Sequence, residues 1–223
     1  YRRQRQMCIR DRYNIRKEIE VVSNGIDLDF WTKRKNDREN FYKTYNLDTR
    51  KKSIISVGLP IKRKGIDDFI KLAKVLPEDE FVWFGKLNPA IIPPEIKKLI
   101  DSAPSNLHFP GYISSEDLRE AYSGSDLYIF LTHEETEGIV LLEALATKAD
   151  TLIRDIEIFE KDYKDGENIY KANSFEGFES KIKDILEGDL PSLTENAYKI
   201  AEEKSIENTG RKLVACYEKV LSL

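Results

Sequence analysis

Two carboxylates, Glu135 and Glu143, stand eight positions apart in the stretch Thr132-His-Glu-Glu-Thr-Glu-Gly-Ile-Val-Leu-Leu-Glu-Ala-Leu-Ala146. On a helix rising ~1.5 Å per residue that gap is about 12 Å. Acids so far apart cannot share one reacting atom. They suit one long ligand gripped at two places. In another loop three cations, Lys62, Arg63 and Lys64, lie between Gly58 and Gly65. Such a loop suits a diphosphate. A nucleotide sugar unites these demands, with hexose and ribose for the acids and a diphosphate between.

The flanking residues must position these groups. Residues 127–131 are an apolar run that reads as a buried strand. Ile139, Leu142, Leu145 and Ala146 then recur at helical spacing. A strand handing over to a helix at Gly138 aims the helix's free N–H groups above the sheet, where they suit an anion. Residues 53–57, 58–65 and 66–76 repeat the strand, loop and helix pattern. Further strands are expected at 80–84, 106–109, 150–153 and 168–172. Helices are expected at 93–102, from 115 with Ser114 or Ser115 as cap, and at 174–186, 192–203 and 206–223. Residues 17–22 read as a short strand before the Asn24-Gly25 turn. Residues 31–46 read as an amphipathic segment with Phe41 and Tyr45 on one face. Strand and helix alternate at roughly 25-residue spacing, which predicts an α/β fold, a doubly wound parallel sheet of Rossmann-like type. Ligands of such sheets bind at the carboxyl ends of the strands. Both loops, 58–65 and 132–138, belong there.

Composition bounds the function. The chain has 223 residues, 40% hydrophobic and 34% charged, with net charge −4. That charge gives no global basic field for nucleic acid. No run approaches the ~20 apolar residues that span a bilayer. Two cysteines and two histidines make neither a disulfide framework nor a zinc cluster, and a reducing cytoplasm is the default. Residues 1–12 are basic and aperiodic and read as a non-native or disordered tail, similar to a translated sequencing-adapter read-through. The other reading is a native basic tail. If the tail is foreign, the chain is a C-terminal piece of a longer protein. The expected organisation is the tail at 1–12, a nucleotide-sugar-binding domain at 13–205 and a C-terminal helix at 206–223.

Glu135-Thr-Glu-Gly-Ile-Val-Leu-Leu-Glu143 resembles the E-x7-E signature of family 4 retaining glycosyltransferases, which have two Rossmann domains and use nucleotide sugars. Asn24-Gly-Ile-Asp27 resembles the element that opens their C-terminal domain. Lys64-Gly65 resembles their phosphate-binding lysine loop, although Leu59 stands where many members carry arginine. Residues 63–69, 81–85, 109–113, 134–140 and 154–156 are similar to bacterial diacylglycerol glucosyltransferases, which form glucosyl-diacylglycerol from UDP-glucose.

The resemblance implies the C-terminal, donor-binding part of an enzyme that moves a hexose, chiefly glucose, from a UDP-sugar to a membrane lipid such as diacylglycerol. It implies retained anomeric configuration, no cofactor and no metal. Glu135, Lys64 and Arg63 would form the catalytic group. Glu135 would hold the hexose and Glu143 the ribose. Lys64, Arg63 and the helix start at Gly138, Ile139 and Val140 would meet the diphosphate. Gly58, Glu137, Gly111 and Tyr112 would complete the donor site, with backbone groups of Gly111 and Tyr112 at the base. The implied partners are the donor, an N-terminal acceptor domain of the same enzyme, and an anionic membrane surface. The last helix would cross to the acceptor domain, leaving Leu213, Val214, Tyr217, Val220 and Leu221 partly bare here. The implied location is cytoplasmic, on the inner face of the cell membrane where the lipid lies. The basic stretches 33–35, 51–52 and 62–64 read either as lipid contacts or as solvated surface. Alone, the chain would bind donor weakly and transfer nothing.

Other readings stay open. The same fold could serve a glycolipid or polysaccharide acceptor, or a non-catalytic nucleotide-binding domain. Asp27-Leu-Asp29 is also the D-x-D metal motif of another glycosyltransferase architecture, but that fold would place it inside its nucleotide domain. His108 reads as a strand residue, and His133 beside the acidic loop is ambiguous. Glucose and galactose donors are not separated.

Overall fold

A computed structural model describes residues 20–86 and 92–222. Residues 1–12, and residues 17–19 of the expected first strand, lie outside the described part. Six parallel strands form one sheet in the order β3-β2-β1-β4-β5-β6. They are β1 (Ser53–Val57), β2 (Glu80–Phe84), β3 (Leu107–Gly111), β4 (Leu127–Phe130), β5 (Thr151–Arg154) and β6 (Tyr170–Ala172). The helices are α1 (Asp37–Thr44), α2 (Ile66–Val75), α3 (Pro94–Asp101), α4 (Ser115–Gly124), α5 (Ile139–Ala146), α6 (Phe175–Glu187), α7 (Thr194–Glu203) and α8 (Ile206–Leu221).

Alternation along the central strands divides the core into two layers. Ile55, Val82, Phe84, Tyr128 and Phe130 face α1, α4, α5 and α7. Ile54, Phe81, Trp83, Leu127 and Ile129 face α2, α3 and α6. Both faces are covered, which is why these strands read as unbroken apolar runs. Ser114, Ser174 and Ser205 cap α4, α6 and α8 by accepting from backbone N–H groups.

Two expectations, at residues 20–22 and at Ile139, need correction. Glu20–Val22 carry no strand and lie instead beside Lys212, Ala215, Cys216 and Lys219 of α8. Ile26 instead forms an isolated parallel bridge to Ser205. Within 31–46 only Asp37–Thr44 is helical, with Phe41 and Tyr45 in ring contact at 5.4 Å as expected. Ile139 does not join the buried stripe of α5 but is 39% exposed. The buried residues are Leu141, Leu142, Ala144, Leu145 and Ala146.

Candidate functional site

Loops 58–65 and 132–138 follow β1 and β4, which are neighbours in the sheet. They are therefore adjacent at the carboxyl edge, and hydrogen bonds join them. The Arg63 carbonyl accepts from His133 N at 2.9 Å and from Thr132 Oγ1 at 3.3 Å. The Arg63 guanidinium returns a bond to the Glu134 carbonyl at 3.2 Å. Gly65 lets the backbones approach. It has φ 80, and a Cβ there would lie 2.5 Å from Leu131.

The three cations diverge. Lys62–Lys64 form a 3₁₀ turn, whose successive side chains point about 120° apart. Lys62 turns outward to Glu95 at 2.9 Å. Arg63 serves the back of the acidic loop. Lys64 alone of the three pairs with Glu135, Nζ to Oε2 at 2.5 Å, with side chains 15% and 11% exposed. Burial pushes the Glu135 carboxyl up. The Lys64 hydrogen bond and the Thr136 and Glu137 amides outweigh this and hold it below the ordinary value.

Gly138, with φ 75, opens α5, and no side chain caps the helix. Leu141 N donates to the Gly138 carbonyl at 2.9 Å, while the Ile139 and Val140 N–H groups have no helical acceptor by position. Next to them lies a cleft of ≈ 340 Å³ lined by Gly58, Gly111, Tyr112, Val140 and Glu143 together with Leu59, Lys86 and Ser115. A Cβ on Gly58 would contact the Lys64 stem at 3.7 Å, so the lysine lies next to a lining residue, although Lys64, Glu135, Gly138 and Ile139 do not themselves line the cleft. The Tyr112 ring stands 83% exposed at its rim. Burial drives the Glu143 carboxyl up to about 7, with only the Tyr122 hydroxyl, 3.3 Å away, acting in the other direction.

Expected residues outside this cleft have other partners. The Glu137 carboxylate accepts hydrogen bonds from Ser23 and Asn24. His108 sits in β3 and meets Glu80 at 2.7 Å. His133 lies 3.5 Å from Asp68. Asp27 accepts from the Asp29 and Phe30 N–H groups, a local turn that accounts for the D-x-D spacing. Among the first-third cations, Arg34, Arg38, Lys52 and Lys62 each lie beside a carboxylate, so the basic stretches do not act as one bare patch.

Sequence reasoning missed Lys86 and the brace around Arg154. Lys86 lies two residues beyond the end of β2, so the strand-end rule that selected the other loops also applied to it. Arg154 donates to the Leu131 carbonyl at 3.0 Å and to Asp68 at 2.7 Å, holding the root of the acidic loop. Its partners are distant in sequence, and only the fold brings them together.

Residues 37–204 match the model of the family described as glycosyl transferases group 1. The chain belongs to that family. A processive diacylglycerol alpha-glucosyltransferase of Acholeplasma laidlawii is 36% identical over 98% of this chain and 66% of its own length. An alpha-galactosylglucosyldiacylglycerol synthase of Streptococcus pneumoniae is 29% identical over 93% of this chain and 57% of its own. The chain thus spans just under two thirds of these relatives or less. Among solved structures, a glycosyltransferase from Rickettsia africae superposes with TM-score 0.82 at 19% identity, over 97% of this chain and 61% of its own. An Anabaena protein, HepE, in complex with UDP-glucose superposes at 0.78 with 16% identity, over 92% of this chain and 57% of its own. These likenesses support the fold.

Proposed function

We propose that this chain is the donor-binding part of a family 4 retaining glycosyltransferase of the two-Rossmann-domain type. It would move a hexose, chiefly glucose, from a UDP-sugar to diacylglycerol or a closely related membrane lipid. The observation that supports this reading is that the Lys64–Glu135 pair and the open end of α5 follow neighbouring strands at the sheet's carboxyl edge, beside a cleft lined by Gly58, Val140 and Glu143. The relatives' lipid acceptors and the UDP-glucose bound by HepE support the choice of substrates.

In this reading the diphosphate lies between Lys64 and the amides of Ile139 and Val140. Loss of UDP builds charge on that diphosphate, and a fixed cation and fixed dipoles stabilise it without reorganising. Glu143 accepts from ribose hydroxyls, and Glu135 from hexose hydroxyls once the diphosphate has drawn Lys64 away. Backbone groups at Gly111 and Tyr112 receive the base, and Gly58 leaves room beside the lysine. Neither acid needs to protonate the leaving group. Arg63 contributes by holding the loop. No cofactor or metal enters the scheme.

The acceptor would be bound by an N-terminal domain of the same protein. Helix α8 has no buried residue, and Leu213, Val214, Tyr217, Val220 and Leu221 are exposed along it, which fits a helix covered by that domain. The lipid acceptor places the work at the inner face of the cell membrane. No helix among the described residues is long and apolar enough to cross one.

The direct test is to supply the full-length gene product with UDP-glucose and either diacylglycerol or glucosyl-diacylglycerol. Glucosylated product from diacylglycerol is expected. Product from the glycolipid alone would move the acceptor one sugar along, and product from neither would end the lipid reading.

A further inference from the structure

Glu137 lies between two donor-loop residues, Glu135 and Gly138, but does not line the cleft. Its Oε1 accepts from the Asn24 N–H at 2.7 Å and from the Ser23 hydroxyl. Its Oε2 accepts from Asn24 Nδ2 at 2.8 Å. Three donors from one distant segment thus converge on one carboxylate. That segment is itself fixed. Ile26 N donates to Lys204 O at 2.9 Å, and Ile206 N donates to Ile26 O at 3.0 Å. A Cβ on Gly25 would lie 2.6 Å from Ile206 Cα, so segment 23–26 is wedged against the start of α8.

The acidic loop therefore has two anchors. Arg63 holds its beginning, through His133, Thr132 and Glu134. Ser23 and Asn24 hold its end, through Glu137. Glu135 sits between the anchors with Lys64 as its cation. A diphosphate that takes Lys64 leaves Glu135 with the Thr136 amide, at 2.9 Å, and the Glu137 amide, both of which belong to the loop itself. Something else must then keep that carboxylate in place.

Resting on the donor reading above, we propose that Glu137 is a positioning residue. It holds the loop while Lys64 changes partner, so that Glu135 meets the hexose. The same bonds tie donor occupancy to segment 23–26. Coupling of this kind is reciprocal: what the donor does to the segment, the segment does to donor affinity.

The test uses the 223-residue chain. Calorimetry compares UDP-glucose with UDP in the wild type, in Glu137→Ala, in the pair Ser23→Ala with Asn24→Ala, and in all three changes combined. Amide exchange of residues 20–26 is followed with and without UDP-glucose. Glu137→Ala and the Ser23/Asn24 pair should each weaken UDP-glucose binding about tenfold more than UDP binding, within the usual range of coupling between sites. The triple variant should be no worse than either. UDP-glucose should slow exchange at 20–26 in the wild type and have no such effect in Glu137→Ala. The isosteric Glu137→Gln should show a smaller loss of the same kind, which covers the case of a poorly folded alanine variant. A lower melting temperature with equal loss of both ligands, additive losses, or an unchanged exchange response would overturn the proposal and leave the donor site standing. A wild type that binds neither ligand removes the donor reading and this proposal together.

Discussion

Under the proposed donor reading, Glu143 would serve binding at the expense of stability. Burial raises its carboxyl to about 7, so folding favours the protonated form. Its contribution to stability is therefore greatest below the ordinary glutamate value and is lost as pH rises through about 7. In the proposed donor site the ionised form is the stronger acceptor for ribose hydroxyls. The two demands oppose each other, as is common where a site must hold an unfavourable group. UDP-glucose affinity should accordingly fall as pH drops below about 7, approaching tenfold per unit. Glu143→Gln should remove that pH dependence and weaken the donor. At pH 8 the same variant should be more stable, on the order of 2 kcal/mol, because a buried charge has gone. Melting curves and titrations at pH 6 and pH 8 check both signs. The sequence placed the two acids on a strand–loop–helix unit, and the structure has them there, Glu135 in the loop and Glu143 in α5. Their settings were not legible in the sequence. Neither the pairing of Glu135 with Lys64 nor the outward turn of Glu137 follows from positions 71 and 113 residues apart.

At the scale of elements, the buried pair Arg119–Asp37 joins α4 to α1. The guanidinium meets both carboxylate oxygens, at 2.7 and 3.0 Å, and Nη1 also reaches the Thr32 carbonyl at 2.9 Å. The side chains are 2% and 4% exposed. Arg119→Ala leaves Asp37 buried without its partner and should cost about 3–5 kcal/mol. Replacing both residues with apolar ones of similar size should cost clearly less. Chemical denaturation of the single and double variants distinguishes these outcomes. Strands β1, β2 and β4 and helices α2, α4 and α6 were readable because their apolar runs and caps agree locally. The strand expected at 17–22 was not realised at Glu20–Val22, which lie beside α8, a neighbour that the local sequence does not reveal. The 3₁₀ turn at Lys62–Lys64 was also unforeseen, and it is what separates three neighbouring cations.

At the scale of the whole molecule, one crossover reversal decides where a ligand belongs. The order β3-β2-β1-β4-β5-β6 turns back between β1 and β4, and both candidate loops leave the sheet at that point. A crevice at such a switch point is where open α/β sheets bind ligands. Strand and helix alternation was enough to predict this edge, but not which side chains would share it. The central claim is that Lys64 and Glu143 hold opposite parts of one UDP-sugar. Calorimetric titration of UDP-glucose at pH 8 into the wild type, Lys64→Ala and Glu143→Gln tests it most directly. Saturable binding by the wild type is expected, with each variant weaker by roughly 1.5–3 kcal/mol, the range for hydrogen bonds to charged groups. Wild-type affinity in both variants would contradict the account.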